Sequence, residues 1–404
     1  MKRCGVCLCA ALCVGWLSSG PVASIARGQA SVLGVANKSA STGRSVQAPG
    51  GVMVDYVEEL ETLNIRLPMR PIPAGTLRFA SEHPSALQGG GDVTIKIPEF
   101  WIAQYEISWQ QYAVFVGLDQ ALSDLQESSG KSSRDFDAPD AVTAPSLIYD
   151  PQGRLRYADS DSVSAGSMTQ YAARQFTKWL SLRTGRQYRL ATEAEWTYAC
   201  VAAGTTVTLA QQPSAPTEAE AATNLEQQDG PQQGGRNRPN AWGLYDMCGN
   251  VAEYVLDADG KDLFSRLKPG EYSIWETVGK SKERYTDLAC GGNCWSQPAD
   301  CTARSRIVVD IDYWTQEANL PLSPTWLASP EKDSAIGFRI VRSFSPLDET
   351  RMQQCWNVDN EELRDAVEDR VRTQKCRVGV IPIQDRIHTK PDLPFGKTTG
   401  DSSR

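Results

Sequence analysis

The stretch CGGNCWSQPADC, residues 290–301, sets Cys290, Cys294 and Cys301 close together beside a Gly-Gly pair. Their sulfurs have two uses. As thiolates they are soft donors suited to copper(I) and other soft metals. As an oxidised pair they merely staple a loop. A second group lies in LYDMCGNVAEY, where Asp246 and Glu253 flank a Gly249-Asn250 turn whose carbonyls can face inward. Hard oxygen donors around a tight turn suit Ca²⁺. The same residues also read as a capped turn whose acids are solvated or salt-bridged. The chain has only two histidines, His83 and His388, which excludes three-histidine iron chemistry on count.

Several local elements must position these groups. VTIKIPEFWIAQYEIS alternates as a strand does, and SWQQYAVFVGL then shifts to helical spacing with Ser108 as N-cap. SMTQYAARQFTKWLSLRTG predicts a second helix stopping at Gly185. A third starts at TEAEW, where Thr192 and Glu195 have the spacing of a capping box. SDLQESSGKSSRDFDAPDAVTAP and QQPSAPTEAEAATNLEQQDGPQQGGRNRP read as surface insertions, and no repeat of solenoid period is present. Most of the many aromatics have the spacing of core residues.

The 404-residue chain, 41% hydrophobic, can bury a sizeable core. Residues 1–30 carry Lys2 and Arg3, a short apolar run and small residues ending at Ala30, the pattern of a secretory signal peptide. The run is shorter than the about 18 apolar residues a membrane-spanning helix needs, and no later stretch supplies them, so no transmembrane segment is expected. Export predicts a periplasmic or secreted protein. Removing the leader takes away Lys2, Arg3 and Arg27 and no acid, moving the formal charge from −8 to −11 and arguing against a nucleic-acid partner. Seven cysteines remain beyond the leader, an odd number for an oxidising compartment. Residues 31–63 read as a disordered spacer, 64–344 as one domain, and 345–404 as a charged tail with one helix over DNEELRDAVEDRVR. Cys355 and Cys376 bracket that helix and are a candidate disulfide pair.

PIPAGTLRF, FWIAQYEISWQQYAVF, FTKWLSLRTGRQYRLATEAEWTYA, NAWGLYDMCGNVAEYVLD, CGGNCWSQPADC and IGFRIVR, taken in that order, resemble the formylglycine-generating enzyme family, the sulfatase-modifying factors. The resemblance implies an α+β class and a variant of the C-type-lectin fold with little regular secondary structure and bound calcium. It implies that Asp246 and Glu253 supply side-chain oxygens to calcium, and Gly249 and Val251 their carbonyls. A second family calcium site begins at Asn224-Leu225, although its later acidic loop has no counterpart here.

The resemblance breaks at the cysteine loop. Active family members carry RGGS followed by two cysteines five positions apart, which bind copper(I) and oxidise a sulfatase cysteine. Here Cys301 falls on the second of those cysteines and Ser296 on the first, with Cys294 two residues early. A serine hydroxyl is hard and protonated and does not replace a thiolate on copper(I), so copper is not expected. Cys301, Ser296 and Cys294 are the candidate catalytic residues; the favoured reading is a Cys294–Cys301 disulfide. Trp295 and Tyr313 fall near the family's cleft and are candidates for ligand contact. Arg304 and Arg306 are candidates for binding an anion or for internal salt bridges. The expected function is a binding or accessory protein of the cell envelope, with an unknown ligand or envelope protein as partner. The alternative is an oxidoreductase that matures a peptide or small molecule, of the formylglycine-generating or siderophore-maturation type.

Overall fold

Ser108 caps the first helix as its position predicts. The computed structural model describes residues 32–38, 43–83, 91–129, 140–145, 162–209, 230–258, 263–280, 286–310, 335–357, 360–373 and 376–380. The leader, Asn224, Leu225, Tyr313 and His388 lie outside the described residues. Helix α1 (Trp109–Val116) opens with a reciprocal box: Ser108 N–H donates to Gln111 Oε1 at 2.8 Å and Gln111 N–H to Ser108 Oγ at 3.4 Å. Helix α2 (Leu118–Ser129) follows. Helix α3 (Gln170–Thr184) ends at Gly185, whose φ of 67° is the left-handed conformation that terminates a helix. Helix α4 (Glu193–Val201) starts with the expected box between Thr192 and Glu195.

Helix α3 is the centre of the packing, because every residue from Gln170 to Ser181 is buried. Phe176 and Trp179 on it meet Tyr112 and Phe115 of α1, and Phe176 also meets Phe338. Around this helix lie sheets of short strands. One sheet runs in the order β10 (Arg189–Leu190), β17 (Ile340–Ser343), β8 (Phe100–Ala103), β5 (Ile65–Ile72), β4 (Tyr56–Leu60), all antiparallel. A second runs β11 (Thr206–Leu209), β6 (Gly75–Ala80), β7 (Asp92–Ile97), β13 (Gly270–Ser273), with both outer strands parallel to their neighbours. The third carries the candidate site: β15 (Arg306–Asp310), β14 (Thr286–Cys290), β12 (Ala252–Tyr254), β16 (Ile336–Gly337). Helix α5 (Leu263–Arg266) lies between β12 and β13 in the chain. The mixed α+β class expected from the sequence is what the chain adopts.

Two boundaries differ from expectation. Within the segment read as a disordered spacer, β1 (Val35–Ala36), β3 (Gly51–Val54) and β2 (Ser45–Ala48) form a sheet, and β4 joins the main one. The reason is a run of apolar anchors: Val46, Met53, Tyr56 and Leu60 are buried in the core shared with Trp101 and Leu67. Trp101 Nε1 also donates to Val54 O at 3.0 Å. The tail holds two described helices rather than one, α6 (Glu349–Trp356) and α7 (Glu361–Arg372), and then β18 (Val378–Val380). β18 pairs with β9 (Ala141–Thr143), which lies at the end of the first presumed insertion, while α2 occupies its beginning. Met352, Cys355 and Trp356 anchor α6 in the core. Among the described residues no helix is long and apolar enough to cross a membrane.

Candidate functional site

Strand β14 delivers Cys290 into the core, directly opposite Arg306 of β15. The chain then turns through Gly291 and Gly292, both left-handed at φ 94° and 70°. A Cβ at Gly291 would come within 2.7 Å of Met247 O, so this position admits no side chain. A Cβ at Gly292 would lie 2.9 Å from Cys301 Sγ and 3.2 Å from Ser296 Oγ. Ser296 and Cys301 therefore both border the space that a side chain at Gly292 would fill. Ser296 Oγ accepts from Asn293 N–H at 3.0 Å, and the Cys301 thiol points to Asn293 O at 4.0 Å.

Cys294 takes another direction. Its N–H donates to Asn250 O at 2.9 Å, and its side chain packs with Val251, Ala335 and Trp295, whereas Cys301 belongs to the cluster containing Cys290 and Trp196. Cys294 and Cys301 are both thiols in the structure, so the expected disulfide between them is not seen. Cys355 and Cys376, the other expected pair, are also thiols, the first packed on the α6 side of the core and the second beside Arg370 and Asp119. Burial pushes the Cys290 and Cys294 thiols well up, so neither offers a thiolate at neutral pH.

A cavity of about 560 Å³ opens beside the loop, bounded by Glu82, Gly292, Ser296, Thr302, Arg304 and Arg306 among others. The arginines are tied inward. Arg304 is ion-paired with Glu82 and lies 3.9 Å over the Phe264 ring, and Arg306 is ion-paired with the buried Glu193. Of the two readings open for them, the internal salt bridge is the one seen. Glu193 and Asp257 are buried together, with Arg266 3.1 Å from Asp257 Oδ1 and 3.5 Å from Glu193 Oε2. Burial holds both carboxyls above their usual range and the arginines oppose it.

The turn expected to hold calcium is welded to this loop by Gly249 N–H donating to Gly291 O at 3.1 Å. Both of its carboxylates are taken up by protein donors. Glu253 Oε1 accepts from Arg339 Nη2 at 2.5 Å, and Oε2 accepts from Arg339 Nε at 2.6 Å and from Trp196 Nε1 at 2.7 Å. Asp246 Oδ1 accepts from Asn237 Nδ2 at 2.8 Å and Oδ2 from Gly235 N–H at 2.5 Å. N–H groups thus point at the oxygens a cation would need. Val251 presents its N–H to Glu106 Oε1 at 3.3 Å. Among the described residues no group of three or more His, Cys, Asp or Glu side chains is placed to hold a metal ion.

Glu106 and Arg339 were not singled out in the sequence. Arg339 donates to the carbonyls of Ala103, Gln104 and Tyr245 as well as to Glu253, gathering oxygens as a cation would. Glu106 accepts from Ser164 Oγ and Asn250 Nδ2, each at 2.8 Å. Burial first, and then the charges of Asp246 and Glu253, hold its carboxyl well above the usual range. The available signal was Arg339 itself, a cation inside the apolar run AIGFRIV.

Residues 68–344 match the family model of the sulfatase-modifying factor enzyme 1-like domain. No curated protein matches the chain. Among solved structures, it is similar to the Treponema denticola variable protein 1, at 16% identity and a TM-score of 0.44, covering 72% of this chain and 99% of that one. It is also similar to PvdO from Pseudomonas aeruginosa, at 20% identity and a TM-score of 0.42 over 72% of this chain and 98% of that one. A third similar structure is CarF, at 17% identity and a TM-score of 0.35 over 69% of this chain and 99% of that one.

Proposed function

The chain belongs to the sulfatase-modifying factor enzyme 1-like family, with its α+β, C-type-lectin-like fold, and from that premise we propose that it is an exported binding or accessory protein of the cell envelope that generates no formylglycine. The observation that carries this reading is that Ser296 Oγ and Cys301 Sγ both border the space beside Gly292. Copper(I) needs two soft donors there, and a hydroxyl offers a hard, protonated one. Cys294 does not restore the pair, because it packs into the separate cluster with Val251. The cavity beside the loop is left as a binding site, with hydroxyls of Ser296, Thr302 and Ser305 for a polar ligand. Export rests on residues 1–30.

A second reading, an oxidoreductase that matures a peptide or small molecule, draws on the Cys301 thiol, which lies against the cavity-lining Gly292. Incubation of the reduced protein with copper(I), oxygen and a Cys-x-Pro-x-Arg peptide separates the two. The expected result is no aldehyde in the peptide by mass spectrometry. Aldehyde formation that disappears in Cys301→Ala would replace the binding role with the enzymatic one. Fractionation tests export separately: chain recovered in the cytosol with residues 1–30 attached would overturn it.

A further inference from the structure

Cys200 and Cys248 are thiols in the structure, both buried, with their sulfurs in contact at 3.5 Å. We propose that Cys200 and Cys248 form a disulfide, a covalent cross-link between the end of α4 and the turn that carries Asp246 and Asn250.

The backbone around the two sulfurs is already fixed from both sides. Asn240 Nδ2 donates to Ala199 O at 2.9 Å and to Cys200 O at 3.2 Å, holding the last turn of α4 against the 240–248 segment. The Trp242 ring packs edge-on against Tyr198 at 4.9 Å between centroids. Asn240 Oδ1 then accepts from Trp242 N–H at 3.0 Å and Leu244 N–H at 3.2 Å, so one side chain sets the path of the segment leading to Cys248. An S–S bond is about 2.05 Å long, so oxidation must bring the two sulfurs about 1.5 Å closer. Two other cysteines stand apart from this pair. Cys294 lies in a separate cluster, and Cys355 lies in the other large core cluster from Cys200 and Cys248.

The reaction is thiol–disulfide exchange with a small-molecule disulfide such as oxidised glutathione. Two S–H bonds of the protein and one S–S bond of the oxidant break. One S–S bond forms between Cys200 and Cys248, and the two electrons and two protons end on the two glutathione thiols released. Because both sulfurs are buried in the native chain, the bond forms as the chain folds. It then ties together residues 48 positions apart, and it fixes the floor of the site, since Gly249 next to Cys248 holds Gly291. The inference does not depend on which ligand the cavity takes.

The test is to refold the full chain in a glutathione redox buffer, alkylate free thiols, digest without reduction and map the peptides. The expected result is a Cys200–Cys248 linked peptide, with Cys290, Cys294 and Cys301 alkylated. Melting of the wild type is then higher in oxidised than in reduced buffer, and that difference vanishes in both Cys200→Ala and Cys248→Ala. Recovery of Cys200 and Cys248 both alkylated, or either linked to another cysteine, overturns the proposal. The mapping uses neither ligand nor export, so failure of the proposed envelope role leaves its outcome unchanged.

Discussion

Arg339 is 1% exposed, and its guanidinium joins Glu253 to three backbone carbonyls from two other segments. Removing it leaves a buried carboxylate unpaired. Arg339→Met is therefore expected to cost about 3–5 kcal/mol in urea unfolding, whereas EDTA is expected to leave the melting temperature unchanged. A cost under about 1 kcal/mol together with a chelator-induced fall in melting would return the turn to calcium. At this scale, the sequence located the groups but not their partners. Asp246 and Glu253 were found by type and spacing, and Gly249 and Val251 through the family resemblance, yet the carboxylates are met by Asn237 and Arg339, which no local pattern marks. Ser296 and Cys301 both border the space beside Gly292, because both belong to one short loop that follows the Gly-Gly turn. The disulfide at that loop was misread, because spacing does not reveal that Cys294 turns toward Val251.

Among the elements, α3 carries a buried lysine that makes stability depend on pH. It is buried on all sides along Gln170 to Ser181, so Lys178 is also buried, with Nζ donating to Asn357 Oδ1 at 3.1 Å. Burial lowers its pKa from 10.5 to about 8, with Asp140 opposing the shift. The folded state thus sheds this proton before the unfolded state does. Below pH about 8 both states carry the charge and the native state bears its burial cost; between about 8 and 10.5 the unfolded state binds more protons, so this group makes stability rise with pH. Lys178→Met is expected to raise stability at neutral pH and to remove that alkaline rise, read from urea midpoints across the range. A midpoint that falls at neutral pH with the rise intact would show that Lys178 is not buried in charged form. The helices were legible because caps are local: Ser108, Thr192 and Gly185 each sit where sequence rules place them. Sheet order was not, since β6 pairs with β11 through Thr76 and Thr206, and β7 with β13 through Val93 and Gly270. Nothing in a local pattern encodes pairings at such separation.

For the whole molecule, the described N-terminal strands are part of the fold rather than a tether. Deletion of residues 1–60 removes Met53 and Tyr56 from the core and the Tyr56–Tyr188 hydroxyl contact at 3.0 Å, and is expected to lower the melting temperature or give insoluble protein. A deletion that melts as the full chain does would restore the spacer reading. That segment was hard to read because its Ser, Gly and Ala content hides a few buried side chains. We propose that a hydroxyl, where the active relatives have a thiol, leaves this loop without copper chemistry. The most direct measurement is copper(I) competition titration of the reduced wild type beside Ser296→Cys. The expected result is no tight copper(I) at the loop in the wild type and one equivalent gained in Ser296→Cys, where two sulfurs would face each other across Gly292. One tight equivalent in the wild type, lost in Cys301→Ala, would contradict it.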